Sequence, residues 1–499
     1  MAASGSAQLP TLGDGAAMSS SAERRLGERI ARELYRDPDY IDDPVLAEYV
    51  QGVWQPLLAA ARLRGDLSSE LEERFAWEIV LGRDRTVNAF ALPGGYFGVH
   101  LGLIAVVSSR DELASVLGHE LSHVTQRHIS RLISKQSQQT PWMLGAMILG
   151  VLAASKNADA GNALIVGGQA VAAQSQLNFS RDMEREADRV GFGVMTQAGF
   201  DGHGFVSMFD KLQQASRLND NGAYPYLRSH PLTTERIADM QTRQSLAVAG
   251  SGSDTLTPEH AMIAARARVL SNPGVDALRA FIAEAGGNQF ATLASARRVG
   301  VLYGAVLAAS QLRDFSHAKE YQERLTALVR SDASAARLSR LLAAEVALAE
   351  QDAPRAASVL RMTEGGHADD VSLARRPELF LAAQIATSMG RGGPDPALRE
   401  VAQRLQVWLA AHPRDAQAWQ LLSSAYAAQG QTLSAVRADA ENQVARLDYA
   451  AALDRFKAAQ ELVRERRANN WAVDYIEASI VDTRKRQVEL LFKEQSLDR

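Results

Sequence analysis

His119-Glu120-Leu121-Ser122-His123 is the stretch on which the reading of this chain turns. It lies inside a segment, Asp111 to Ile133, whose apolar residues Leu113, Val116, Leu117, Leu121 and Val124 recur at helical spacing and would bury one face. Histidines four residues apart project from the same face of a helix, so His119 and His123 can offer two ring nitrogens to one metal ion. Glu120, beside the first histidine, is placed to act as general base toward water at an open coordination position. A five-residue match of this kind also arises by chance, so the rest of the chain has to support it.

A second helical stretch carries Glu184-Arg185-Glu186-Ala187-Asp188. Glu184 and Asp188 share a face, so one can ligate a metal while the other accepts a hydrogen bond from the ring N–H of a histidine ligand. Glu186 falls on a different face, which favours Glu184 as the ligand. With the two histidines this completes the ligand set of a catalytic zinc, one Zn2+ per chain. His128 stands about 140° around a continuous helix from His123. It is therefore expected on the surface or behind the ligands, and the longer metzincin spacing is absent.

Composition limits the alternatives. The chain has 499 residues, too many for one core, and a net charge of −4 with both signs interspersed, which gives no case for a nucleic-acid partner. With no cysteine there can be no disulfide framework, thiolate ligand or cysteine nucleophile. Residues 1–22 form a flexible Ala/Gly/Ser-rich segment without Lys, Arg or an apolar core. That is no intact signal peptide, and either a cytosolic start or a mature exported chain fits it.

Around the motif, Ser20 to Arg36 reads as an amphipathic helix and Pro44 to Leu63 as a second. Phe75–Leu81 and Val87–Leu92 read as strands, and Pro93-Gly94-Gly95 turns the second into Tyr96–Val99. Residues 141–154 are apolar and uncharged but shorter than the roughly 20 residues that span a bilayer. With the Gly/Ala-rich run at 158–173 they mark an insertion at 136–180: a core helix with a connection, a mobile lid over the zinc cleft, or a peripheral membrane contact. The Gly/Ser linker at 249–257 divides a peptidase domain at 23–248 from a helical domain at 258–499. In the latter, Trp419, Leu422 and Tyr426 followed by Ala435 match a tetratricopeptide unit, and Ala318, Ala356 and Ala402 precede Ala435 at loose intervals. Tyr449 to Arg464 reads as one more helix. The expected architecture is an α+β zincin-like metallopeptidase domain, mainly helical with a small sheet, followed by an all-α, irregular four-unit tetratricopeptide solenoid.

His119-Glu120-x-x-His123 with Glu184-x-x-Ala187-Asp188 resembles the pattern of the HtpX/CAAX-prenyl-protease type of zinc metallopeptidases. Asn88-Ala89-Phe90-Ala91 before Gly94-Gly95, and Ser229-His230-Pro231 with Arg236, extend the match. Followed by tetratricopeptide repeats, such a domain resembles the BepA-type periplasmic protease–chaperones. The resemblance implies His119, His123 and Glu184 as metal ligands, Glu120 as catalytic base, Asp188 orienting a ligand and Arg236 behind it. It places His230 near the zinc, either stabilising the oxyanion or binding the metal and holding the enzyme off. Asn88, Ala89, Phe90 and Ala91 would form an edge strand that pairs with extended substrate.

The resemblance also implies a zinc endopeptidase of the periplasm that hydrolyses misfolded or stalled envelope proteins during outer-membrane assembly. Its repeat domain would recruit substrate or the assembly machinery. The alternative is a chaperone or adaptor whose proteolysis is mostly latent.

Overall fold

The computed structural model describes residues 18–135, 180–217, 223–246, 256–361, 375–390 and 395–497. The runs at 141–154 and 158–173 and the linker at 249–254 lie outside the described residues. The chain divides into two compact units, residues 1–41 with 52–255, and residues 42–51 with 256–499. Among the described residues no helix is long and apolar enough to cross a membrane.

In the first unit, α1 (Ser20–Arg36) starts where the Ser19 hydroxyl accepts the Ala22 N–H at 3.2 Å, and it buries Leu26 and Ile30. Then come α2 (Pro44–Arg64), of which residues 52–64 belong to this unit, α3 (Ser69–Arg74) and a sheet of β1 (Glu78–Gly82), β2 (Ala89–Leu92) and β3 (Tyr96–His100). The sheet order is β1-β3-β2, with β1 parallel and β2 antiparallel to β3. The first strand begins later than its alternation suggests, because Trp77 sits in the left-handed region at φ 52°. The turn from β2 into β3 uses Gly94 at φ 71° and Gly95 at φ 79°, which only glycine adopts without strain.

The motif-bearing segment follows as α4 (Leu101–Val106), α5 (Arg110–Thr125) and α6 (His128–Lys135). The Ser109 hydroxyl caps α5 by accepting the Glu112 N–H at 3.2 Å. The continuous helix expected from Asp111 to Ile133 is thus corrected: α5 ends at Thr125, and Arg127 turns the chain at φ 54° before α6 begins. After the undescribed stretch come α7 (Arg181–Gln197), α8 (His203–Arg217), the short α9 (Tyr226–Ser229) and α10 (Thr234–Leu246).

The second unit is helical throughout its described residues, from Pro258–Leu270 to Tyr475–Leu497. The buried Ala318, Ala356, Ala402 and Ala435 each lie on the later member of a helix pair joined by a short connection. Trp419, Leu422 and Tyr426 lie on Ala416–Ala428, the helix before that of Ala435. Residues 42–51 join this unit through three arginines, each held between an acid from the segment and an acid from the helices. Arg266 donates to Asp43 at 2.7 Å and to Glu345 at 3.0 Å. Arg337 donates to Glu48 at 2.6 Å and to Glu378 at 2.5 Å. Arg376 donates to Asp42 at 2.7 Å and to Asp415 at 2.8 Å.

Arg266 is 4% exposed and also donates to the Tyr303 hydroxyl at 3.0 Å. Arg266→Met would leave Asp43 and Glu345 without their cation, so urea denaturation should show a loss of about 3–5 kcal/mol. Replacing all three charged groups by apolar residues of similar volume should recover most of it. A single variant as stable as wild type would refute that account.

Candidate metal centre

The site is built where α5 and α7 cross. A Cβ placed on Gly191 would lie 3.0 Å from the Gly118 carbonyl carbon and oxygen and from the His119 nitrogen. One on Gly118 would lie 3.2 Å from the Gly191 oxygen. The helices therefore meet backbone to backbone, one residue before the first histidine and one turn beyond Asp188. Sequence reasoning missed this pair, although an isolated glycine within a helical pattern is itself a signal of close packing.

The crossing gathers four buried donors, His119, His123, Glu184 and His230, whose ligand atoms lie within 4.8 Å of one another. His119 Nε2 stands 3.0 Å from His123 Nε2 and 3.5 Å from Glu184 Oε2, and His123 Nε2 is 3.4 Å from Glu184 Oε1. His230 Nδ1 comes to 3.3 Å from His119 Nε2 and 3.0 Å from Glu184 Oε1. A tetrahedral zinc with bonds of about 2.0–2.1 Å needs donors roughly 3.3 Å apart, so this set of imidazoles and carboxylate fits the ion.

On the far side of each histidine the support differs. His119 Nδ1 lies 2.9 Å from Asp188 Oδ1, and Asp188 accepts two bonds from Arg236, at 2.6 and 2.7 Å. Arg236 also reaches Glu184 Oε2 at 2.8 Å and the Pro231 carbonyl at 2.9 Å. His123 Nδ1 instead meets His128 Nδ1 at 2.8 Å. His128 is fully buried, so its placement on the surface is excluded.

Residues 48–244 match the model of peptidase family M48. This segment is therefore similar to the M48 peptidases. Similar proteins include a beta-barrel assembly-enhancing protease of Vibrio cholerae, 35% identical over 238 residues, and that of Escherichia coli K12, 30% identical over 237 residues. Both alignments cover 47% of this chain and 47% of the relative, so the chain spans about half the length of the curated relatives it matches. The mitochondrial metalloendopeptidase OMA1 of Saccharomyces cerevisiae is 27% identical over 196 residues, 38% of this chain and 54% of its own.

Within residues 48–244 Glu120 bridges the candidate metal donors and the sheet. Its Oε1 lies 3.4 Å from His230 Nε2, and its Oε2 accepts the Ala91 N–H at 3.0 Å. Burial pushes the Glu120 carboxyl above its usual range despite the nearby histidines. Burial opposes charging of His119, but Asp188 and Glu184 outweigh it and hold its pKa at about 9. Burial drives His123 well below the usual histidine value, and His128 down to about 4. Glu184 stays well below the carboxylate range, because His230, His119 and His123 together overcome its burial.

The loop that brings His230 also touches the sheet. Val87 donates its N–H to the Ala223 carbonyl at 2.8 Å, and its own carbonyl accepts the Tyr226 N–H at 3.4 Å. Asn88 faces the other way, with its carbonyl accepting the His100 N–H at 3.0 Å. By strand alternation Ala89 and Ala91 face outward with Val87. The Phe90 ring lies over Gly98. Tyr226, which the sequence did not single out, stacks on His230 with ring centroids 4.6 Å apart and is buried.

Gly191→Ala should force α5 and α7 apart, because the new methyl meets backbone atoms that cannot swing aside. The expected cost is about 1–3 kcal/mol in urea denaturation, with a lower zinc content by elemental analysis. Unchanged stability and metal content would show that the close crossing does not set the site.

Proposed function

We propose that the chain is a zinc endopeptidase of the bacterial periplasm that cleaves misfolded or stalled envelope proteins, in the service of outer-membrane protein assembly. The observation that carries this reading is the buried His119, His123 and Glu184 set with Glu120 beside it, inside a domain similar to beta-barrel assembly-enhancing proteases. Zinc held by those three residues would acidify a bound water and polarise a scissile carbonyl. Glu120 is the group placed to receive the proton. Asp188, braced by Arg236, fixes the His119 ring. Arg236 acts only through its neighbours.

Substrate would run along the outward edge of β2, from Asn88 to Ala91, where backbone pairing selects an extended chain over a particular side chain. Two features support a resting state in which that route is closed. His230 would supply a fourth donor, and a zinc site with four protein ligands is structural rather than catalytic. The backbone of the same loop, at Ala223 and Tyr226, occupies the Val87 end of the edge. We read His230 as the inhibiting ligand, which favours autoinhibition over the oxyanion role. The paired helices of the second unit would form an irregular tetratricopeptide solenoid that recruits substrates and the assembly machinery. The second reading, a chaperone or adaptor with latent proteolysis, draws on the same closed geometry.

Cleavage of an unfolded protein such as casein separates these roles. Glu120→Gln should retain zinc and lose activity by roughly 10²–10⁴-fold, the usual share of a general base. His230→Ala should raise the rate above wild type; a fall would restore the oxyanion role. Full rescue of a deletion strain by Glu120→Gln would favour the chaperone.

A further inference from the structure

The two histidines of the motif are supported by different chemistry, and only one of the two supports is evident from the motif. His119 leans on a carboxylate. His123 Nδ1 faces His128 Nδ1 at 2.8 Å, while His128 Nε2 faces Glu186 Oε2 at 3.1 Å and Arg131 donates to that same oxygen at 2.8 Å. His128 reaches this position because α5 stops at Thr125 and the backbone turns at Arg127, φ 54°, so α6 brings the ring back behind the ligand.

Hydrogen-bond chemistry gives this chain a direction. A histidine that gives its Nε2 lone pair to a metal carries its proton on Nδ1, so His123 must donate there. His128 Nδ1 can then only accept, which places its proton on Nε2, and that N–H donates to Glu186. Each link permits one arrangement of protons, and that arrangement presents His123 Nε2 as an acceptor toward the metal.

We propose that His128 and Glu186 are positioning residues for the metal site: Glu186 sets the tautomer and tilt of His128, and His128 sets those of His123. Neither touches the ion or the substrate. Glu186, aside from the ligand face of α7, gains behind His123 a positioning role that parallels that of Asp188 behind His119. The inference rests on zinc binding by His119, His123 and Glu184.

The test is zinc affinity of the full chain, measured by competition with a chromophoric chelator, together with the visible spectrum of the cobalt-substituted protein. Wild type should bind one zinc. His128→Ala should bind it about 10–100-fold more weakly, the usual loss when support behind a ligand is removed, and should shift the cobalt bands. His128→Asn, whose side-chain oxygen can accept from His123, should recover part of both. Glu186 lies at the protein surface with its side chain 32% exposed, so Glu186→Ala tests the outer link without disturbing the core, and should weaken zinc several-fold. Arg131→Gln should change affinity by less than about 2-fold, because the exposed pair it removes contributes little.

Wild-type affinity and an unchanged cobalt spectrum in both His128→Ala and Glu186→Ala would overturn the inference and leave the metal site standing. A wild-type chain that binds no zinc would overturn the metal site, and this inference with it.

Discussion

The contact between Gly118 and Gly191 is the constraint on which the site depends. Two helices carrying ordinary side chains pack 8–10 Å apart, whereas a metal centre tolerates only a few tenths of an ångström in each bond. Removing both side chains at the crossing lets α7 carry Glu184 to within 3.5 Å of the nitrogens on α5. The serine caps at Ser109 and Ser180 begin the two helices, so the turn on which each ligand falls is fixed from the start of its helix. The geometry of the candidate metal site is thus set by a helix crossing whose two glycines offer no ligand side chain.

That crossing also concentrates charge where water cannot screen it. Glu120, Glu184 and Asp188 are each about 1% exposed, and Arg236 is the buried guanidinium among them. Burial opposes a charge on His119, but the carboxylates of Asp188 and Glu184 beside it raise its pKa to about 9. A divalent cation would answer the same carboxylates. Burying several carboxylates together is costly unless a cation or a network of donors compensates them. The pocket therefore favours a cation even before any one bond length is considered.

What the sequence made legible follows from the range of the forces involved. α1 could be read because a serine cap and Leu26 and Ile30 act within a few turns, and the four-residue spacing of His119 and His123 is likewise local. The break after Thr125 was not legible, since Gln126 and Arg127 are neither glycine nor proline. The meeting of His128 with His123 was hidden for the same reason: any prediction that assumed an unbroken helix put the two rings apart. The pairing of Val87 with Ala223 and Tyr226 links positions far apart in sequence, and no local pattern announces it.

The arginines of the second unit carry a practical consequence. Asp42, Asp43 and Glu48 lie far upstream of the Gly/Ser-rich sequence at 249–254, yet their partners Arg376, Arg266 and Arg337 lie downstream of it. A chain severed within residues 249–254 would not yield two intact halves. The downstream piece would keep three part-buried or buried cations with half of their counter-ions, and the upstream piece would expose the acids that belong to them. Dissection of this protein therefore calls for grafting residues 42–51 onto the helical piece, or for supplying them as a peptide, since adjacency in the gene is a poor guide here to what folds together.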